Sequence, residues 1–111
     1  MELQVKGKNL EVSDSIRLYA ERRLAKLDKH VHELTEIEVE LAVERNPSVA
    51  ENQVAEATVR LKGHTLRARE ATRDMKASID ELVEKLGRQI RDDRDKRAGR
   101  RRVADKHALG E

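Results

Sequence analysis

The chain has 111 residues, 41% charged and 37% apolar, with one aromatic residue, Tyr19, and no Cys. That length supports one domain with a lean core, and the lack of Cys excludes disulfides and thiolate zinc sites and fits a reducing compartment. No apolar run approaches the roughly 20 residues that cross a bilayer, and "MELQVKGKNL" lacks the apolar core of a signal peptide, so a soluble cytoplasmic protein with no membrane partner is expected.

The net charge is only +2, but it is unevenly spread. From Arg91 onward eight basic residues face five acidic ones, which leaves residues 1–90 with 16 basic and 17 acidic groups. A body of this kind binds a polyanion only if its charges are sorted onto separate faces.

"LQVKG" (Leu3 to Gly7) alternates apolar and polar residues and ends at Gly, which predicts a short strand. Ser13 or Asp14 then caps a helix from about Ser15 to Lys29. Ile16, Ala20, Leu24 and Leu27 form its core arc, flanked by Tyr19. "EIEVELAVE" is the clearest strand: Ile37, Val39, Leu41 and Val43 point one way, and Glu36, Glu38, Glu40 and Glu44 the other. After a connection holding the only Pro, Pro47, comes "QVAEATVRLKG", with Ala55, Ala57, Val59 and Leu61 inward. Gly63 and His64 mark a tight turn. "HTLRAREA" returns as the antiparallel partner, with Leu66 and Ala68 inward and Thr65, Arg67 and Arg69 outward.

A second helix starts near Thr72 to Asp74. Met75, Ile79, Leu82, Val83, Leu86 and Ile90 make a continuous stripe, each large side chain contributing roughly 1.5–3 kcal/mol when buried. Gly87 lies off the stripe, and nothing in the pattern accounts for it. Past Ile90 the stripe stops. The helix is expected to continue a few turns and give way to a charged mobile tail from Gly99. The predicted division is a domain over residues 1–97 and a flexible tail, or the start of a linker, over residues 98–111.

The order β-α-β-β-β-α predicts an α+β two-layer sandwich, a four-stranded sheet with two helices on one face and its other face solvated. The first strand–helix–strand connection should be a right-handed crossover between parallel strands.

Catalysis needs converging groups, and none stands out. His30 and His32 read as exposed loop residues rather than metal ligands, and His64 as a turn residue. The Glu36, Glu38, Glu40 row reads as a solvated strand face that Lys6 and Arg60 could pair across. There is no phosphate-binding Gly loop, no H-E-x-x-H and no nucleophile elbow. An enzyme, a cofactor, a metal site and a small-molecule substrate are therefore not expected.

The basic rows remain. Arg22, Lys26 and Lys29 fall at i, i+4, i+7 within an arc of roughly 60° that contains no acid. Glu21 and Asp28 fall on a different arc, and Tyr19 and Arg23 border the row on its core side. In the second helix Lys85 and Arg88 share a face with Glu81 and Asp92, and Arg91 and Arg94 follow. Such sorting suits phosphate binding, which supplies affinity without reading sequence. The lack of aromatics argues against base-stacking readers of single strands and favours structured RNA recognised by backbone and shape.

"RLAKLDK" (Arg23 to Lys29) and "DMKASIDELVEKLGRQI" (Asp74 to Ile90), within a match over about residues 1–97, resemble the ribosome hibernation-promoting factor family. The resemblance implies an architecture similar to double-stranded-RNA-binding domains. It implies a domain that binds the small ribosomal subunit and its rRNA between head and body, over the mRNA and the A- and P-site tRNA positions, and the chain by itself is expected to be a monomer. Translation is thereby blocked in stressed or stationary cells. The family's basic helix residues correspond to Arg23, Lys26, Lys29, Lys85 and Arg88; Arg22 is added from the helical wheel, and Arg91 extends the row in the second helix. Two features depart from the family pattern: the acids on the Lys85–Arg88 face, and a tail that is basic where some short members have an acidic one. Long members continue past a charged linker into a self-associating domain, so this chain is expected to be the N-terminal part of such a protein or a short form bearing a tail. The alternatives are a protein-interaction module using the acidic strand, and a general structured-RNA binder.

Overall fold

The computed structural model describes the backbone of residues 2–27 and 34–109, and side chains within these up to Lys96. The elements are β1 (Glu2–Gly7), α1 (Asp14–Ala25), β2 (Leu34–Val43), β3 (Gln53–Leu61), β4 (His64–Thr72) and α2 (Met75–Leu109). The sheet runs in the order β1-β2-β3-β4, with β1 and β2 parallel and the other pairs antiparallel. This is the predicted α+β sandwich.

Alternation along each strand produces two apolar rows that cross the whole sheet. Leu3, Ile37, Val59 and Leu66 are successive register partners, and so are Val5, Val39, Ala57 and Ala68. These rows face the helices. Leu24 of α1 and Ile79, Leu82 and Leu86 of α2 are fully buried against them, in one cluster with Ile37, Val39, Leu41 and Val59. The small Ala55, Ala57 and Ala68 sit in the part of the sheet that α2 covers, while α1 packs on β1 and on α2. Small residues beneath large ones let the layers interdigitate at interior density.

The helix starts are fixed by caps. Ser13 Oγ accepts from the Ile16 N–H at 3.2 Å, so Ser13, and not Asp14, is the N-cap of α1. Asp74 Oδ2 accepts from the Ala77 N–H at 3.1 Å at the start of α2. Ser78, the buried polar residue of that turn, donates to the Gln53 carbonyl at 2.6 Å and accepts from the Thr72 N–H at 3.0 Å. One hydroxyl thus ties α2 to β3 and β4. Helix side chains also reach over both edge strands: Arg17 donates to the Val5 carbonyl, Gln89 to the Arg67 carbonyl at 3.3 Å, and Lys85 to the Arg69 carbonyl at 3.4 Å.

The open face of the sheet neutralises itself. Lys6 meets Glu38 at 2.8 Å, Arg60 meets Glu36 at 3.4 Å and Glu38 at 3.6 Å, and Arg69 meets Glu56 at 3.2 Å. The expected pairing of Lys6 and Arg60 with the acidic row is what the structure shows. The Lys6 contact holds the Glu38 carboxyl below its ordinary range, mainly through the hydrogen bond between them.

Several expectations are corrected. Regular α1 ends at Ala25, with Lys26 as its cap, while Lys29, His30 and His32 lie outside the described residues. β2 starts at Leu34, two residues before the predicted strand, because a bulge between Leu34 and Glu36 lets Leu34 and Ile37 both face inward. Thr35, inside that bulge, donates its hydroxyl to the Arg60 carbonyl at 2.9 Å. Val43 is exposed where β2 runs to its end, and Val54 is buried without belonging to the helix-side cluster. The tight turn is Lys62–Gly63, with Gly63 at φ 91°, a left-handed conformation that Gly adopts without strain; His64 opens β4. Finally, α2 continues as helix to Leu109, past Gly99. Residues 91–109 contain one Gly and no Pro, and are mostly Arg, Lys, Asp and Ala, so no strong breaker interrupts the helix.

Two glycines are expected to respond oppositely to substitution. A Cβ at Gly7 would stand 1.9 Å from the Leu10 carbonyl oxygen, whereas one at Gly87 would meet only Leu27 Cδ2 at 3.9 Å, an ordinary contact. Urea denaturation should show Gly7→Ala clearly destabilised. Gly87→Ala should gain up to about 1 kcal/mol from helix propensity.

Candidate nucleic-acid interface

The two helices are joined side by side at one polar junction. Tyr19 Oη donates to the Asp80 carboxylate at 2.7 and 2.8 Å, and the Arg23 guanidinium meets the same carboxylate at 2.7 Å through both Nε and a terminal nitrogen. Further along, Leu27 lies opposite Gly87. Tyr19 to Leu27 therefore runs alongside Asp80 to Gly87, and the helices point the same way. Side-chain direction follows from the 3.6-residue period: Tyr19 and Arg23 lie one turn apart on α1, and Asp80 and Gly87 two turns apart on α2.

The junction is electrostatically tuned. Burial works to raise the Asp80 pKa, but the Tyr19 hydroxyl and the Arg23 guanidinium together outweigh it and hold the carboxyl below its usual range. Tyr19 moves upward, chiefly because its proton is engaged by Asp80. Two cations also attend its ring: Arg23 Cζ lies 5.6 Å and Lys76 Nζ 5.3 Å from the centroid, within the range of cation–π attraction.

Around this junction stand the basic residues. Arg22 and Lys26 are exposed on α1, on the side that carries Tyr19 and Arg23. On α2, Lys76 lies one turn before Asp80, and the exposed Arg91 lies one turn past Gly87, which places both on the flank toward α1. Arg88 is exposed on the outer side of α2. Glu84 is an exposed acid along this flank between Asp80 and Arg88, and the exposed Glu81 and Asp92 lie on the outer side beside Arg88.

The structure thus gathers Arg22, Lys26, Arg88 and Arg91 onto one helical surface, and adds Lys76. It engages Arg23 with Asp80. It turns Lys85 to the opposite flank of α2, where its ammonium lies 3.4 Å from Glu70 Oε1 beside β4. On the wheel Lys85 is roughly 120° from Arg91. Lys29 lies outside the described residues. His64 does more than make a turn, since its Nε2 lies 2.6 Å from Asp93 Oδ2 and links the start of β4 to α2. Among the described residues no group of three or more His, Asp or Glu side chains is arranged to hold a metal, and no helix is long and apolar enough to cross a membrane. Sequence reasoning missed Lys76 and Asp80. The available signal was that both fall on the Gly87 side of the apolar stripe.

The model of the family described as Sigma 54 modulation protein / S30EA ribosomal protein matches residues 3–98. The chain belongs to this family. Members named ribosome hibernation promotion factor, from Picosynechococcus sp. and Lactococcus lactis, are 35% and 39% identical, over 91% and 82% of this chain and 53% and 48% of their own length. The chain spans about half the length of these two relatives. The ribosome hibernation promoting factor of Escherichia coli is 30% identical over 86% of this chain and 96% of its own length. Among solved structures, the N-terminal domain of Protein Y from Thermus thermophilus shares 35% identity with a TM-score of 0.68, covering 81% of this chain and 96% of that one. A ribosomal subunit interface protein from Coxiella burnetii, at 23% identity, shares the fold with a TM-score of 0.75, over 86% of this chain and 99% of its own.

In this family member a single tyrosine reports on the helix junction. Ultraviolet titration of Tyr19 should show it ionising above its ordinary value of 10.0, and Asp80→Asn should move it back toward that value. The sign follows from the junction: ionisation removes the donated proton and sets a phenolate beside a carboxylate. Asp80 itself contributes stability that is fully present above its ordinary 3.8 and is lost as the pH falls through the lower folded-state value. The acid limb of a melting-versus-pH curve should therefore flatten in Asp80→Asn.

Proposed function

We propose that this chain is a ribosome hibernation factor of the cytoplasm. It binds the small ribosomal subunit in the channel of mRNA and of A- and P-site tRNA, and inhibits translation under stress or in stationary phase. The mechanism is occupancy, with no reaction catalysed. The observation that carries this reading is the gathering of Arg22, Lys26, Lys76 and Arg91 on one helical surface, with Arg88 beside it, where the central acid Asp80 is matched by Arg23 and the cations outnumber the exposed Glu84, in a chain whose relatives are named for ribosome hibernation. Lys29 belongs to the same row by its spacing in the sequence.

Chemistry supports an RNA backbone as the target. The cations are held on two rigid parallel helices and would displace condensed counterions from phosphates. The only aromatic ring has its hydroxyl bound and two cations beside it, so a base-stacking platform of the kind single-strand readers use is not offered. Backbone and shape recognition of folded rRNA remains. The sheet face, with its cross-strand ion pairs, presents little net charge and so points away from the phosphates.

Changing Arg22, Lys26 and Lys29 together to Glu should leave circular dichroism and melting nearly unchanged, because Arg22 and Lys26 are exposed and exposed charges contribute little to stability. Cosedimentation with purified small subunits at low salt should collapse. Wild-type binding should weaken steeply with salt, with a log–log slope of several units for about five to eight cationic contacts. An affinity flat across that range would point instead to a protein partner, and an equal affinity for naked duplex RNA to a general RNA binder.

A second expectation concerns assembly. In sucrose gradients the purified chain should travel with single ribosomes or small subunits without forming ribosome pairs. A ribosome-dimer peak produced by this chain alone would contradict it.

A further inference from the structure

An acid at the centre of a phosphate-binding surface is unfavourable unless it does something there. Asp80 is only partly buried, with 35% of its side chain exposed, so its site lies close to any bound polyanion. Its carboxylate takes the Tyr19 hydroxyl and the Arg23 guanidinium at 2.7–2.8 Å. Both partners belong to α1 and are 61 and 57 residues distant in sequence. Below this junction the two helices meet through apolar contacts such as Leu27 against the Gly87 position, and an added Cβ there would still sit at an ordinary 3.9 Å, so this contact is loose and leaves the local lateral register less tightly held. The carboxylate holds it, because hydrogen bonds are directional and short ones tolerate little displacement.

We propose that Asp80 is the positioning residue of the interface: by binding Tyr19 and Arg23 at once it fixes the spacing and register of α1 against α2, and hence the spacing of the cations that face the ligand. This rests on the ribosome-binding reading above. Arg23 then acts mainly through the helix junction, and Arg22 and Lys26 reach the phosphates. The Tyr19 ring, held by its hydroxyl, in turn gives Lys76 a fixed surface to lie against. Rigid presentation matters because side chains ordered before binding lose less entropy on binding.

The proposal makes a prediction opposite in sign to simple electrostatics. Removing a negative charge from a phosphate-binding face should tighten binding. If Asp80 positions the helices, Asp80→Asn should instead weaken it, by about threefold or more, as expected for a residue coupled to two partners. The experiment is equilibrium binding of the full chain to purified small subunits across a salt series, run well below each variant's melting temperature. The log–log salt slope of Asp80→Asn should match wild type, since no phosphate contact is removed. Arg22→Gln should lower that slope by about one unit. Tyr19→Phe changes no charge and should weaken binding in the same direction as Asp80→Asn; it decides the matter if Asp80→Asn does not fold. Asp80→Asn that is folded and binds as tightly as wild type, or more tightly, would overturn the proposal. So would a lowered melting temperature with unchanged affinity, the mark of a purely structural role. Failure of the wild-type chain to bind at any salt would instead refute the ribosome reading and this inference with it.

Discussion

Everything in this molecule depends on one apolar layer. With one aromatic residue and no Cys, the chain has neither large ring surfaces nor covalent staples to rely on. The two rows that cross the sheet, Leu3 to Leu66 and Val5 to Ala68, together with Leu34, Leu41, Ala55 and Leu61 beside them, must bury both helices. They do so because alternation is kept in every strand and because Ala55, Ala57 and Ala68 leave room for the large α2 residues. That layer puts both helices on one side. It thereby separates the molecule into a helical surface that can collect cations and a sheet surface that must balance its own charge.

The balance is local on the sheet and longer in range between the helices. Lys6, Arg60 and Arg69 find acids on neighbouring strands at distances the register dictates, and this is ordinary cross-strand pairing. Between the helices the corresponding work falls on one carboxylate. Asp80 matches Arg23, which would otherwise add to the basic surface, and converts it into a tie between helices. The two halves of the surface are thereby coupled, so a change at the tie is felt by cations that do not touch it.

The fold was legible in the sequence wherever a period repeated. Five apolar positions of the α2 stripe are buried, from Met75 to Ile90, and the Ile37–Val39–Leu41 alternation placed β2 correctly. Single-residue exceptions were not legible. The bulge at Thr35 shifts the phase of β2 by one residue, and no alternation pattern announces that. His64 looked like turn chemistry because it follows Gly63, yet its partner Asp93 is 29 residues away. The candidate site was legible by half. A wheel of α1 alone placed Arg22 and Lys26 on one side. For α2 the wheel gave each angle correctly but could not say which flank meets α1 and which meets β4, so Lys85 was grouped with Arg88, while Lys76 and Asp80 went unnoticed. That choice is made by tertiary packing and has no local signature. The length of α2 was underestimated for a related reason: loss of the apolar stripe ends burial, but it does not end a helix whose residues favour helix and contain no Pro.

Arg17, Lys85 and Gln89 have a consequence for the molecule in crowded solution. An edge strand is a template, and a copy of the same protein can extend the sheet by pairing with its bare carbonyls. Here the Val5 carbonyl on one edge and the Arg67 and Arg69 carbonyls on the other already accept from helix side chains, two of them cationic. An arriving strand must displace these donors and bring its backbone up against a charge. The helices that carry these donors also guard the sheet against strand addition, so the protein is shielded from growing into fibrils through its edges.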